Sequence, residues 1–166
     1  MNAESVNEAT GNEQTGGLVL NLECTLAAPP EEIFRMLTEP AELVKWWGPH
    51  GFIIPSAELN LTEGGRYRFR MTPPDGEPFH LSGEFLEIDP AWRLVYTFRW
   101  EEPAPDDRET VVDLSLGSTG SLGSTGTGTR LMLSQGPVLT EERLDFYRNG
   151  WTESFEKVQA VLDSRI

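Results

Sequence analysis

From Leu144 to Leu162 the residues Leu144, Tyr147, Trp151, Phe155, Val158 and Leu162 recur three and four apart, a spacing that shares one face only in a helix. Burial of each such side chain contributes roughly 1.5–3 kcal/mol, so together they rival the net stability of a whole domain, about 5–15 kcal/mol. Beyond the tail and two short helices, the chain before this segment reads as strands. A chain patterned this way lays one long helix across a sheet, an α+β arrangement.

A length of 166 residues fits one domain, and 38% hydrophobic residues with five tryptophans fill one sizeable core. The expected organisation is a disordered tail over 1–17 and a single domain over 18–166. The tail holds no Lys, no Arg and no apolar run, so it lacks the features of a secretory signal. A net charge of −14 argues against nucleic acid and against anionic membrane surfaces, both of which need a basic face. The lone Cys24 forms no internal disulfide, which fits a reducing, cytoplasmic setting. No apolar run reaches the roughly 20 residues of a membrane helix.

Leu18, Leu20, Leu22, Cys24 and Leu26 alternate with Val19, Asn21, Glu23 and Thr25, which predicts a first strand with one face on the core. Pro29 and Pro30 end it and open a helix, with Glu31 and Glu32 in the first turn, where the helix dipole favours negative charge. Ile33, Phe34 and Leu37 supply its buried side. A second short helix begins near Pro40, carries Leu43, Val44, Trp46 and Trp47, and stops at Gly48-Pro49. Further strands are predicted over 52–61, 66–71, 79–88 and 93–100, separated by Glu63-Gly64-Gly65, Pro73-Pro74-Asp75-Gly76 and Asp89-Pro90. Such short connections imply antiparallel pairing.

Two more strands, over 109–116 and 129–135, flank a tandem unit: Leu116-Gly117-Ser118-Thr119-Gly120-Ser121 is followed at once by Leu122-Gly123-Ser124-Thr125-Gly126-Thr127. Gly, Ser and Thr supply flexibility rather than core, so 116–127 reads as a loop without chemistry. A phosphate cradle would call for a basic residue and a following helix.

Specific words stand along this order of elements. Thr38-Glu39-Pro40, Trp46-Trp47-Gly48-Pro49, Gly64-Gly65-Arg66-Tyr67-Arg68-Phe69, Gly83-Glu84-Phe85-Leu86-Glu87-Ile88, Leu94-Val95-Tyr96-Thr97 and Gly150-Trp151 together resemble the domain family named for the activator of the heat-shock chaperone ATPase. That family lies within the START-like, or SRPBCC, superfamily, and the resemblance runs from about Leu18 to Leu162. It implies a helix-grip fold: a curved antiparallel sheet wrapped around the long C-terminal helix, with two short helices after the first strand and a cavity between sheet and helix. The eukaryotic co-chaperone also carries a separate N-terminal chaperone-gripping domain, for which this chain has no room.

The resemblance places Tyr67, Phe69, Tyr96, Phe98 and Trp100 on strands facing a helix that carries Trp151 and Phe155. Flat rings on a concave wall suit an apolar or aromatic ligand, and the same rings are also able to fill the core completely. Trp46 and Trp47, about 100° apart around a helix axis, do not both point inward from one helix. Trp47, beside Gly48-Pro49-His50, is therefore placed at the pocket entrance. His80, Ser82 and Glu84 share one strand face, read as the outward one because Phe79, Leu81 and Phe85 occupy the other. Arg66, Arg68 and Arg70 likewise form an outer, ion-paired row. Only His50 and His80 are available as histidines, too few for a zinc site without cysteine help, and no nucleophile elbow, P-loop or dinucleotide fingerprint occurs, so neither metal nor cofactor is expected.

The leading functional expectation is a cytoplasmic module that binds a small hydrophobic molecule, in stress response or metabolite sensing. Its candidate ligand-binding residues are Trp47, Tyr67, Phe69, Tyr96, Phe98, Trp100, Trp151 and Phe155. The alternatives are a chaperone-interacting protein resembling the ATPase activator, and a cyclase-like enzyme that would need an inward polar group such as His80 or Glu84. The resemblance also raises a homodimer, since relatives of this fold often pair.

Overall fold

Residues 17–121 and 127–165 are described by the computed structural model. The alternation that begins at Leu18 becomes strand β1 (Leu18–Leu26), with Leu20 and Leu26 buried and Asn21, Glu23 and Thr25 exposed. Two proline-initiated helices follow, α1 (Pro30–Thr38) and α2 (Pro40–Trp46), each with a proline in its first turn, where a missing N–H costs nothing. The meander then runs through β2 (Ile53–Leu59), β3 (Arg66–Thr72), β4 (Phe79–Asp89), β5 (Arg93–Trp100), β6 (Thr110–Ser121) and β7 (Thr127–Val138) before the long helix α3 (Glu141–Asp163). Thr140 caps α3 by accepting the Arg143 N–H at 3.0 Å, and Glu141 and Glu142 fill its first turn.

The seven strands form one sheet in the order β1-β7-β6-β5-β4-β3-β2, every pairing antiparallel. β1 and β2 therefore lie at opposite edges, and α1 and α2 form the connection that carries the chain from one to the other. The stripe read from the sequence is the buried face of α3: Leu144, Tyr147, Trp151, Phe155, Val158 and Leu162 are all at most 8% exposed. They join one hydrophobic core with the inward residues of the sheet and of α1 and α2. This is the helix-grip fold that the resemblance implies.

Gly83 in β4 is a position where a side chain is excluded. A Cβ there would collide with the Thr97 carbonyl and stand 2.6 Å from the Tyr67 ring. The space left by glycine lets the Tyr67 hydroxyl donate to the Thr97 carbonyl at 2.6 Å.

Two expectations need correction. Trp46 and Trp47 are both buried, at 0% and 7% exposure. The helix ends at Trp46, and Trp47 turns extended with ψ 137°, so the 100° rule for successive helical residues does not govern the pair. Residues 116–121 of the tandem unit extend β6 rather than form a loop, pairing Leu116 with Leu131 and Ser118 with Thr129. Glycine masked the strand signal, while the backbone ladder needs no side chain. Residues 122–126 lie outside the described residues.

Candidate ligand-binding site

The face of β3, β4 and β5 that meets α3 is paved with rings. Tyr67 contacts Phe69, Phe85 and Tyr96 at centroid distances of 5.1, 5.5 and 5.4 Å, and Phe98 stands T-shaped to Trp100 at 5.2 Å and to Tyr147 at 5.5 Å. Trp47 is T-shaped to Phe69 at 5.0 Å and to Trp151 at 5.1 Å. Such edge-to-face and tilted contacts are favourable, but rigid planes meeting at steep angles leave gaps that branched aliphatic side chains would fill.

One gap is an apolar void of about 50 Å³, open to solvent at one end. Its walls come from the segment after α2 (Trp47, Gly48, Pro49, Phe52), from the sheet (Met71, Phe79, Phe98, Trp100) and from α3 (Phe146, Tyr147, Gly150, Trp151, Ser154). Phe146 is 45% exposed at the rim. The polar side-chain atoms of Trp100, Trp151 and Ser154 on this wall are bonded within the protein. Trp100 Nε1 donates to Tyr147 Oη at 2.9 Å, Trp151 Nε1 to Gln135 Oε1 at 2.7 Å, and Ser154 Oγ to the Gly150 carbonyl at 2.8 Å. Gln135 is itself fully buried and donates to Thr110 Oγ1 at 2.9 Å, which fixes the plane of the Trp151 ring from behind. Burial pushes the Tyr147 phenol well above its ordinary pKa, keeping it neutral. What remains facing the void is almost entirely hydrocarbon.

The segment 47–52 along one rim has little ladder support. Gly48 and Gly51 adopt φ of 91° and 89°, a region that side chains rarely enter. Lys157 on α3 stands in for the missing ladder. Its Nζ donates to the carbonyls of Trp47, Gly48 and Pro49 at 3.3, 3.0 and 3.3 Å, and burial lowers its pKa. His50 adds a backbone N–H bond to Glu153 Oε1 at 2.9 Å and an imidazole contact with Glu156 at 3.0 Å.

Of the candidate residues, Trp47, Phe98, Trp100 and Trp151 line this void. Tyr67, Phe69 and Tyr96 line a smaller one deeper in the core. Phe155 touches the Trp151 ring at 5.6 Å but lines neither; it borders an edge groove with Leu22, Cys24 and Leu26. Cys24 is half-buried there, and burial pushes its thiol pKa up to about 11. Phe52, Met71, Phe79, Phe146 and Tyr147 also line the outer void and were not singled out from the sequence. Tyr147 was visible as part of the helical stripe, whereas Phe146, off that stripe, carried no signal of its place at the rim.

The polar residues of β3 and β4 project from the opposite face of the sheet. His80 donates its backbone N–H to Glu102 at 2.8 Å and pairs its Nδ1 with the same carboxylate at 2.9 Å, which holds Glu102 below the usual carboxylate range. Glu84, paired in register with Arg66, lies on that face as well. An inward acid–base pair, which the cyclase-like alternative required, is therefore not formed by these residues. Arg68 makes a bidentate bond to Glu101, both contacts at 2.9 Å, and draws the Glu101 pKa down. Arg66 and Arg70 have no ion pair among the described residues, a departure from the fully paired row expected.

Among the described residues, no helix is long and apolar enough to cross a membrane. No curated protein matches the chain significantly. Solved structures do. The AHSA1 protein from Silicibacter pomeroyi is 27% identical over 89% of this chain and 99% of its own, with a TM-score of 0.73. A protein from Nitrosomonas europaea is 26% identical over 89% and 95%, at 0.70. A protein from Chromobacterium violaceum, 24% identical over 86% and 95% at 0.68, shares the fold. The model of the activator of Hsp90 ATPase homolog 1-like family matches residues 27–163. The helix-grip architecture and this match over most of its length agree, and the chain belongs to the activator of Hsp90 ATPase homolog 1-like family, within the START-like superfamily.

Proposed function

We propose that residues 18–166 form one ligand-binding unit that takes a small hydrophobic molecule into the aromatic void between sheet and α3, working in the cytoplasm as a sensor or carrier rather than as an enzyme. The observation that carries this reading is an open, almost wholly apolar void in which the indole N–H groups of Trp100 and Trp151 are bonded elsewhere and Phe146 stands exposed at the rim. An open apolar recess of this kind gains by covering its rings and offers little to a charged guest. At about 50 Å³ the void is a seat that must widen around a ring-sized guest, since typical small-molecule sites hold about 300–1,000 Å³. The parts able to yield lie on its rim: the exposed Phe146 and the glycine-flanked segment held by Lys157.

Gly150 offers a direct test. It lies within α3 on the wall of the void, and a Cβ built there meets nothing closer than Pro49 Cγ at 3.8 Å. Gly150→Leu plugs the mouth while replacing a poor helix former, for which the propensity gain is up to about 1 kcal/mol. Tryptophan fluorescence is titrated with a panel of aromatic and fatty compounds. A saturable response in the native protein that vanishes in a fully folded Gly150→Leu supports the site, and no response from any compound overturns it.

The family's name favours a second reading, stimulation of a chaperone ATPase. It predicts a rise in ATP turnover when the protein is mixed with the chaperone, a rise that Gly150→Leu leaves intact.

A further inference from the structure

The apolar space inside the grip is divided. Besides the outer void, an inner one of about 10 Å³ lies between α1, α2 and the sheet, bordered by Leu37, Leu43, Leu59, Phe85, Leu94 and Tyr96 among others. Trp47 lines both. Its ring reaches Phe69 on the sheet side and Trp151 on the helix side, edge to face at 5.0 and 5.1 Å, and so spans the gap between the two walls. The inner void has no charged lining residue. Of its two tyrosines, Tyr67 donates its hydroxyl to the Thr97 carbonyl at 2.6 Å. The Tyr96 hydroxyl, on a residue only 5% exposed, makes no hydrogen bond to any described residue.

We propose that Trp47 is the length-determining residue of the site: its ring shuts off the inner void, so the native pocket accepts compact, neutral, ring-sized molecules and rejects extended chains. The proposal rests on the ligand-binding reading and sharpens it. A long chain entering past Pro49 and Phe146 meets the indole before it reaches Tyr96. With the indole removed, the two voids join into one channel that ends on an unused hydroxyl. A guest fitting that channel is an uncharged chain with an alcohol or carbonyl at its leading end, because no cation is present to receive a carboxylate.

The test measures binding of straight-chain primary alcohols, from butanol to dodecanol, to the full-length protein by calorimetry, with indole as the compact reference. Each buried methylene is worth roughly fourfold in affinity. In the native protein that climb should stop at a short chain length, with indole bound. In Trp47→Ala it should continue for several more carbons, and Trp47→Phe should fall between. Adding Tyr96→Phe to Trp47→Ala should keep the longer limit and lose several-fold in preference for the alcohol over the matching alkane. Circular dichroism verifies folding, and Trp47→Phe, which keeps a ring, decides the matter if Trp47→Ala is unfolded. An identical length limit in the native protein and a folded variant overturns the role of Trp47 alone. Failure of every alcohol and of indole to bind the native protein overturns the ligand-binding reading with it.

Discussion

The two halves of the sheet fill the same grip by different means. On β1, β6 and β7 the inward residues are mainly aliphatic: Leu20, Leu26, Val112, Leu114, Leu116, Leu131, Leu133 and Val138, all at most 5% exposed. On β3, β4 and β5 they are mainly rings: Tyr67, Phe69, Phe85, Tyr96 and Phe98, also at most 5% exposed. Exposure does not distinguish the halves, yet both voids that border Trp47 are lined from the aromatic one. Branched side chains interdigitate to crystal density, whereas flat rings held edge to face keep gaps at their corners. Burial therefore makes the scaffold, and the shape of what is buried makes the site.

A substitution in the aliphatic half should break this contrast most visibly. Leu114→Ala, at a site 1% exposed, is expected to lose about 2–5 kcal/mol in urea unfolding, because the surroundings have no slack with which to collapse. A loss under 1 kcal/mol would mean that this half is as loosely filled as the other.

Where α3 meets β7, between the two halves, the decisive quantity is polar. Trp151→Phe keeps a ring in place but leaves Gln135 Oε1 buried without its donor, and the expected cost is about 1–3 kcal/mol. A cost near zero would show that the amide finds another partner.

The outer face should respond least, and only in acid. His80 lowers the Glu102 pKa and Arg68 lowers that of Glu101, both from an ordinary value of 4.5. The unfolded chain therefore takes up these protons first as pH falls. The stabilisation is fully present above about pH 4.5 and is lost as pH drops through the lowered folded-state values. Glu102→Gln should flatten that decline slightly and leave stability at pH 7 nearly unchanged, since exposed pairs are weak. Urea midpoints measured from pH 7 to pH 3 provide the comparison.

The scaffold was legible in the sequence because periodicity reports faces. Leu18 to Leu26 announced a strand with one core face, and Leu144 to Leu162 a helix with one buried stripe, and both stand as read. The site was legible only in part. Trp47 lines both voids because the helix ends one residue before it, a boundary set by local backbone geometry that spacing does not fix. Phe52, Phe79 and Phe146 come from three separated segments, and nothing in any one of them records that the others lie nearby. Residues 116–121 hid a strand behind glycine, since ladder bonds use the backbone and leave no trace in composition. A void is a property of how shapes fail to fit, and letters record shapes one at a time.

The five tryptophans make the central claim directly measurable. Trp47, Trp100 and Trp151 line the outer void, Trp46 is sealed at 0% exposure with its Nε1 bonded to the Met36 carbonyl at 2.9 Å, and Trp92 sits 48% exposed between β4 and β5. In an NMR titration of the native protein with indole, the Trp47, Trp100 and Trp151 Nε1–H resonances should shift together and saturate, while those of Trp46 and Trp92 stay still. A shift confined to Trp92, or no shift at any of the five, would contradict an aromatic ligand chamber between sheet and helix.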